Sequence, residues 1–130
     1  METKLRAKTL DESIGILYFE IFDIRFSDPQ TGIFHAKGIA CYMNSIQQFT
    51  GKKDSQDRDI YEGDIVDLVN EEKYKEETQM SGRRIVVWNN ESAIFFFDKY
   101  VVMNWGGHVS KLIIGNNIMN PELAKEIEIK

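Results

Sequence analysis

Short apolar runs separated by polar turn residues make up most of the chain, and β-branched and aromatic residues predominate in these runs. Such side chains fit the pleated surface of a sheet, so the runs predict strands. The clearest strand is predicted at residues 60–69, where Ile65 and Val69 face one way while Val66 and Leu68 face the other. The pattern therefore predicts an all-β (mainly β) fold of antiparallel sheets.

The N-terminal runs predict further strands and one turn. Residues 14–22 are almost continuously apolar, which predicts a strand buried on both faces or at a junction of sheets. The proline and glycine within residues 27–32 predict a turn. Residues 33–40 and 41–49 predict one bent strand or two short strands, with a short helix as the alternative.

The C-terminal half shows the same alternation of strand and turn. Residues 83–88 and 93–97 are predicted to pair antiparallel across the turn residues 89–92. A last strand is predicted at residues 109–114. The stretch 70–81 is rich in charge and poor in large apolar residues, so we expect a mobile loop or a hairpin excursion there.

The end of the chain predicts a short helix. Asn120 is suited to accept a hydrogen bond from an amide of the first turn, and Pro121 suits the first helical position because it lacks an N–H. Glu122 then favours the positive end of the helix dipole. Leu123 and Ile127 fall on one face, so we expect the helix to pack by that face.

Size and composition bound the organisation and the compartment. A chain of 130 residues with 42% apolar content can form a single domain over 1–130, or two small β lobes at about residues 1–45 and 46–130. The N-terminus is charged and no apolar run would span a bilayer, so we expect a cytoplasmic protein without a membrane partner. Cys41 is the only cysteine, which precludes an intramolecular disulfide and predicts a small buried hydrophobe.

The charge distribution gives little support to duplex binding. The formal net charge is −5, and the basic residues are scattered among acids. A protein that grips duplex backbone usually has a basic stripe, because neutralising phosphates supplies much of the affinity. The sequence instead predicts a solvated surface of mixed sign.

Acidic residues and histidines are the candidate chemical groups. Five acids lie close together: Asp54, Asp57, Asp59, Glu62 and Asp64. Their spacing lacks the glycine that a calcium loop needs at its sharp turn. His35 and His108 are far apart in sequence, and each is expected to be a surface or turn residue, since a general base needs a positioned partner. We therefore expect no catalytic residue, no metal site and no cofactor.

Aromatic residues supply a candidate interaction patch, which comprises Trp88, Phe96, Tyr100 and Trp105. The neighbouring run of three phenylalanines, residues 95–97, directs at least one ring away from a single-sided core. Exposed rings would suit base stacking or peptide binding. The favoured alternative places the rings between two sheets or in a homo-oligomer contact, because large exposed apolar patches are uncommon.

Three separate blocks of sequence follow one another along the chain in a recognisable order. The first has a Thr50-Gly51 pair, a lysine and aspartate turn, and the segment Tyr61-Glu62-Gly63-Asp64. The second comprises residues 85–88 and 93–95, and the third joins residues 114–116 to Asn120-Pro121. In these blocks the chain resembles the YopX-like family of small phage and prophage proteins. One departure is Asp57-Arg58, where members of the family often have a glycine.

The resemblance implies a β-rich fold with small SH3-like or barrel-like sheets, and it brings no established activity. Independently, Gly63 permits a corner with positive φ, and Asp64 can bond amides of its own turn. We therefore expect the family motif to build structure rather than to bind a ligand; it comprises Thr50, Gly51, Tyr61, Glu62, Gly63, Asp64, Asn120 and Pro121.

These observations lead to two hypotheses about function. The first is a non-enzymatic phage or prophage accessory protein that acts as a protein-interaction module. Its partner would be a host or phage protein, or a second copy of the chain. The alternative is a single-stranded nucleic-acid-binding protein that uses the aromatic residues together with Lys52, Lys53, Arg83 and Arg84. Such binding must weaken steeply as ionic strength rises.

Overall fold

The computed structural model describes residues 4–70, 82–89, 94–97, 101–102 and 109–129. The chain forms two compact units, Met1–Phe49 and Thr50–Lys130, called here the first and the second unit. The described strands pair antiparallel in open sheets without a closed barrel, and one short helix lies at the C-terminus. The predicted mainly β fold is confirmed, whereas residues 71–81 of the loop predicted at 70–81 lie outside the described residues.

The first unit contains six strands: β1 (Lys4–Lys8), β2 (Ile16–Glu20), β3 (Ile24–Asp28), β4 (Ile33–Ala36), β5 (Ile39–Tyr42) and the start of β6 (Gln47–Lys53). In one sheet β1 lies between β2 and β6, and in the other β4 lies between β3 and β5. A bridge between Thr9 and Cys41 links the end of β1 to β5.

The core of the first unit consists of small and aromatic side chains. Phe19 and Phe34 pack with ring centroids 5.4 Å apart. Ala7, Ala36 and Cys41 are each 0% exposed and complete this cluster. The prediction that Cys41 is a buried hydrophobe is confirmed.

A tight hairpin turn divides the segment whose structure the sequence left open. Lys37 and Gly38 both have positive φ, at 52° and 77°, as a two-residue hairpin loop between β4 and β5 requires. A 3-10 turn, Met43–Ser45, then leads into β6. The predicted boundary between residues 40 and 41 is therefore wrong: two short strands lie within residues 33–42, divided at residues 37–38, and one helical turn follows them.

The expectation of a doubly buried strand at residues 14–22 is wrong. Strand β2 ends at Glu20, and Ile21–Asp23 is a 3-10 turn that begins where the Asp23 carboxylate accepts the Glu20 amide at 2.8 Å. Phe22 in this turn is 67% exposed. A continuous apolar run indicates burial only on average, and here a local side-chain hydrogen bond accompanies a turn that takes Ile21 and Phe22 out of the strand.

The second unit continues β6 and adds six strands and the helix: β7 (Asp59–Tyr61), β8 (Asp64–Asn70), β9 (Gly82–Asn89), β10 (Ile94–Phe97), β11 (Val101–Val102), β12 (Val109–Asn116) and α1 (Pro121–Ile129). Its main sheet has the order β11-β10-β9-β8-β12. The predicted antiparallel pairing of the strands now called β9 and β10 is confirmed.

Strand β8 is buried on both faces. Val66 and Leu68 join one apolar cluster, and Ile65 joins another with Ile85 and Ala124. The predicted alternation is thus confirmed, although the single strand expected at 60–69 is two strands that a turn at residues 62–63 separates.

Helix α1 packs against the second of these clusters. Leu123 and Ile127 are the side chains that make this contact, as the spacing predicts. The helix begins at Pro121, which is also the predicted start. Within the described parts of the chain, no helix has the length and apolar character needed to cross a membrane.

Candidate functional site

The corner around Gly63 connects three parts of the second unit. Gly63 has a φ of 86°, a left-handed conformation that glycine adopts without strain. Its amide donates to the Val86 carbonyl at 2.7 Å, and its carbonyl accepts the Asn117 amide at 2.9 Å. The buried Asp64 carboxylate accepts the Tyr61 amide at 2.7 Å and so closes the turn. The motif residues at this corner therefore point inward, with Glu62 half-buried beside them.

The Thr50-Gly51 pair fixes the neighbouring strand. The Thr50 hydroxyl donates to the Ile60 carbonyl at 2.7 Å, which ties β6 to β7 within the second unit. Gly51 has a φ of 84°, and a Cβ built there would meet no atom within 4 Å. Backbone conformation, rather than lack of space, is therefore what favours glycine at this position.

The Asp54 carboxylate accepts hydrogen bonds on both of its oxygens. One oxygen accepts the amides of Gln56 and Arg58, both at 2.9 Å. The other accepts the Arg58 guanidinium at 3.0 Å from Nε and 2.8 Å from Nη2, and the Ile113 amide at 3.0 Å. The side chain is 0% exposed. Five donors thus saturate a buried carboxylate.

These bonds attach the loop at residues 54–58 to the outer strand β12. The Ser55 amide donates to the Lys111 carbonyl at 2.7 Å, and the Arg58 guanidinium donates to the Ile113 carbonyl at 2.7 Å. An edge strand otherwise presents unpaired backbone groups that invite pairing with another chain. The loop therefore covers this edge with a side chain and a turn rather than with a strand.

The surroundings of Asp54 also determine its pKa. Burial, the largest single cause, raises the pKa of Asp54, but the amides of Ile113, Arg58 and Gln56 and the Arg58 side chain together lower it by more, so the pKa lies below the ordinary value of 3.8. The carboxylate is therefore ionised and fully engaged with protein donors. Among the described residues, no group of three or more His, Cys, Asp and Glu side chains is placed to hold a metal ion.

Asp57 belongs to the pair Asp57-Arg58, where the resemblance to the family implied a glycine. Its φ is 64°, in the left-handed region that glycine adopts most easily and that Asp tolerates better than most residues. The loop therefore has a left-handed residue at Asp57 without a glycine. Lys53 lies 3.8 Å from Asp57 and 3.5 Å from Asp59, in an ion-pair group on the surface.

The third motif block builds the turn that leads into the helix. The Asn120 side-chain oxygen accepts the Asn116 amide at 3.1 Å, and Asn116 in turn accepts the amides of Ile118 and Met119. The predicted partner of Asn120, an amide of the first helical turn, is therefore wrong. A Cβ on Gly115 would lie 2.6 Å from that same oxygen of Asn120. Steric contact accounts for glycine here.

The predicted aromatic patch is only partly within the described residues. Trp88 is half-buried, and its ring packs edge-on against Phe95 with centroids 4.9 Å apart. The backbone of Phe96 pairs with Val87, but its side chain lies outside the described part, as do Tyr100 and Trp105. Trp88 therefore contacts Phe95, which is not one of the residues of the predicted patch.

A different group of apolar side chains is exposed on the first unit. Ile21 is 56% exposed, Phe22 is 67% exposed and Phe26 is 83% exposed. All three lie in or beside the 3-10 turn and strand β3, which is an outer strand of its sheet. Large exposed apolar groups of this kind are a common feature of protein-interaction surfaces.

Phe26 combines this exposure with an unusual backbone conformation. Its φ is 54°, in the left-handed region that is rare for a bulky residue. The register between β3 and β4 shifts between Arg25 and Asp28, so Phe26 lies at a bulge. Its ring stands edge-on to His35 at 6.2 Å. His35 was expected in a turn or at the surface, but it is a half-buried residue of β4 with a buried Nδ1 atom that has no hydrogen-bond partner among the described residues.

The sequence patterns predicted neither the structural role of Asp54 nor the exposure of Phe26. The acid cluster did not single out Asp54, although an aspartate commonly bonds the backbone amide two residues on, which here belongs to Gln56. Phe26 lies between a predicted strand and a predicted turn and therefore belongs to no predicted element. The acids near Phe26 in the sequence are the signal that distinguishes this residue from a core residue.

Comparison with known proteins identifies the family. A family model described as YopX protein matches residues 10–125. No curated protein and no solved structure gives a significant match. The match spans both units and includes the Gly63 corner, the Asp54 loop and the Asn120 turn, whose geometries account for the motif residues. The chain belongs to the YopX family.

Proposed function

We propose that this protein is a non-enzymatic protein-interaction module, an accessory protein of a phage or prophage that acts in the cytoplasm. The observation that carries the proposal is the exposure of Ile21, Phe22 and Phe26 on the first unit. Burial of exposed apolar surface on a partner is favourable by about 25 cal/mol per Å². The motif residues, by contrast, are engaged in bonds that hold the second unit together.

Capture from cells tests the proposal. Tagged protein is mixed with a nuclease-treated lysate of host cells that carry the phage or prophage, and retained proteins are identified by mass spectrometry. The test variant combines Ile21→Ser, Phe22→Ser and Phe26→Asn. The matched control combines Val69→Ser and Met119→Ser, two exposed apolar positions of the second unit at 53% and 57% exposure.

Retention by the wild type and the control, but not by the test variant, is the expected result. Light scattering on the purified protein identifies a second copy of the chain as the partner if the mass doubles. A strict monomer that retains no protein would contradict the proposal.

Single-stranded nucleic acid is an outcome of the same experiment. Lys53 is close to two carboxylates, and Arg83 stands opposite Asp67 in the sheet, so these basic side chains have acidic neighbours. This arrangement favours a protein partner over a phosphate backbone. Retention from an untreated lysate that disappears on nuclease treatment and weakens steeply with salt would support nucleic acid instead.

A further inference from the structure

One short stretch of the first unit carries most of the net charge of the chain. Residues 10–28 contain five acids and one arginine, a net charge of −4, whereas the whole chain has a net charge of −5. The acids are Asp11, Glu12, Glu20, Asp23 and Asp28. The remainder of the chain is therefore close to neutral.

The same stretch carries exposed apolar side chains of the first unit. They are Leu10, Ile14, Tyr18, Ile21, Phe22 and Phe26, with exposed fractions from 39% to 83%. Each lies within two residues of an acid in the sequence. We call residues 10–28 the acidic apolar segment. The acidic apolar segment thus combines a net negative charge with exposed apolar side chains.

We propose that the acidic apolar segment binds a protein segment of complementary chemistry, with aliphatic or aromatic side chains flanked by lysine or arginine. This inference rests on the proposed function and names the class of its partner. Opposite charges steer such a segment towards the acids and suppress wrong partners, while apolar contact supplies affinity. Nucleic acid and anionic membranes carry the same sign of charge as the segment, so they are repelled.

The outer strand β3 favours contact through side chains rather than addition of a partner strand. A strand that adds to a sheet edge needs free backbone groups on that edge. The Arg25 guanidinium donates to the carbonyls of Phe22 and Ile24, and the Asp28 carbonyl accepts the Gly32 amide at 2.9 Å. These carbonyls are already engaged, and the bulge at Phe26 interrupts the strand.

Phe26 is the anchor of the proposed contact. It is the most exposed of these side chains, and its left-handed backbone places a bulky ring where glycine or asparagine would cause less strain. Backbone strain of this kind often lies at binding sites. The partner therefore needs an apolar pocket for one aromatic ring, with basic side chains at its rim.

Selection from displayed random-sequence peptides tests the partner class. The bait is the full chain as wild type, as Phe26→Asn, or as the control Met119→Ser; thermal unfolding confirms that each bait is folded. Peptides enriched by the wild type and by the control should combine apolar residues with lysine or arginine. The Phe26→Asn bait should lose this enrichment at least tenfold.

A titration with the most enriched peptide tests the charge argument. Asp28→Asn keeps the oxygen that accepts the Gln30 amide at 3.0 Å but removes the charge. The dissociation constant should rise about two- to fivefold, as expected for an exposed charge pair, and added salt should weaken wild-type binding. Vesicles of anionic lipid should not bind the protein.

Three outcomes of the selection would overturn the inference: enrichment of acidic or uncharged peptides, enrichment that Phe26→Asn retains, or no enrichment above an empty matrix. Binding to anionic vesicles would overturn it as well. The proposed function fails separately, through the capture experiment, because that experiment makes no assumption about the charge of the partner.

Discussion

At the scale of single residues, Asp54 shows how one carboxylate can attach a loop to the edge of a sheet. Its two oxygens accept five hydrogen bonds, and one of these donors is the Ile113 amide on β12. A buried carboxylate is costly unless donors surround it, so each of these bonds matters more than a bond on the surface. The acid that a metal hypothesis would take as a ligand is instead a structural acceptor.

Replacing this acceptor should destabilise the fold. Asp54→Asn turns an NH2 group towards some of the donors, and we expect the free energy of unfolding to fall by about 2–4 kcal/mol. Urea unfolding followed by circular dichroism measures the change. Asp11→Asn is the control, since Asp11 lies in an exposed turn and its substitution should leave the midpoint unchanged. Equal midpoints for Asp54→Asn and wild type would contradict the assigned role.

The lowered pKa of Asp54 predicts how stability varies with pH. A carboxyl whose folded pKa is below its unfolded value of 3.8 stabilises the fold above that value, and loses this contribution as pH falls through the folded pKa. The difference in stability between wild type and Asp54→Asn should therefore be constant near neutral pH and shrink below about pH 3.8. Unfolding curves over this range measure it, and a difference that grows on acidification would refute the sign.

Asp57 provides a test of backbone conformation. Glycine at a φ of 64° avoids the left-handed penalty of an L-residue, so Asp57→Gly should raise the free energy of unfolding by about 0.5–1 kcal/mol. Asp57→Ala should lower it, because alanine keeps the penalty and lacks the polar side chain. A glycine variant less stable than the alanine variant would show that the loop conformation is not what limits stability here.

At the scale of elements, the turn between β12 and α1 depends on a close approach. Gly115 brings the backbone of β12 against the Asn120 side chain, whose oxygen accepts the Asn116 amide. The register between β12 and β8 shifts at this point, between Ile113 and Gly115. A bulge and a bonded asparagine together turn the chain into the helix, which then packs Leu123 and Ile127 on the sheet.

A double-mutant cycle tests this contact. Gly115→Ala should lower the free energy of unfolding by about 1–3 kcal/mol, because the new methyl group is forced against Asn120. Asn120→Ala should cost about 1 kcal/mol through the lost hydrogen bond. In the Asn120→Ala background, Gly115→Ala should cost much less, since the opposing oxygen and Cγ are gone. Strictly additive losses would show that the two residues do not interact.

Elements were predictable from sequence where local chemistry and packing agree. The helix start at Pro121 and the alternation of side chains along β8 follow directly from residue types and periodicity. The bond of Asn120 to Asn116 did not, because helix capping and turn closure require the same kind of residue. Apolar residues 14–22 were predicted to be buried, yet the Asp23 bond to Glu20 turns Phe22 outward.

At the scale of the whole molecule, the two units differ in what they offer to a partner. The YopX motif residues of the second unit are bonded within it, whereas the first unit exposes apolar side chains among most of the net negative charge. Sequence alone predicted an interaction module but located its surface on the aromatic residues near Trp88. Charge and exposure lead us to propose residues 10–28 as the surface instead, a step that requires knowledge of which apolar side chains are exposed.

The most direct test combines stability and binding in one variant. Asparagine tolerates the left-handed backbone of Phe26, and the ring it removes is 83% exposed, so Phe26→Asn should unfold at the same temperature as the wild type or higher. The same protein should retain at least tenfold less partner from a nuclease-treated lysate. Full retention of the partner by a folded Phe26→Asn variant would contradict the account.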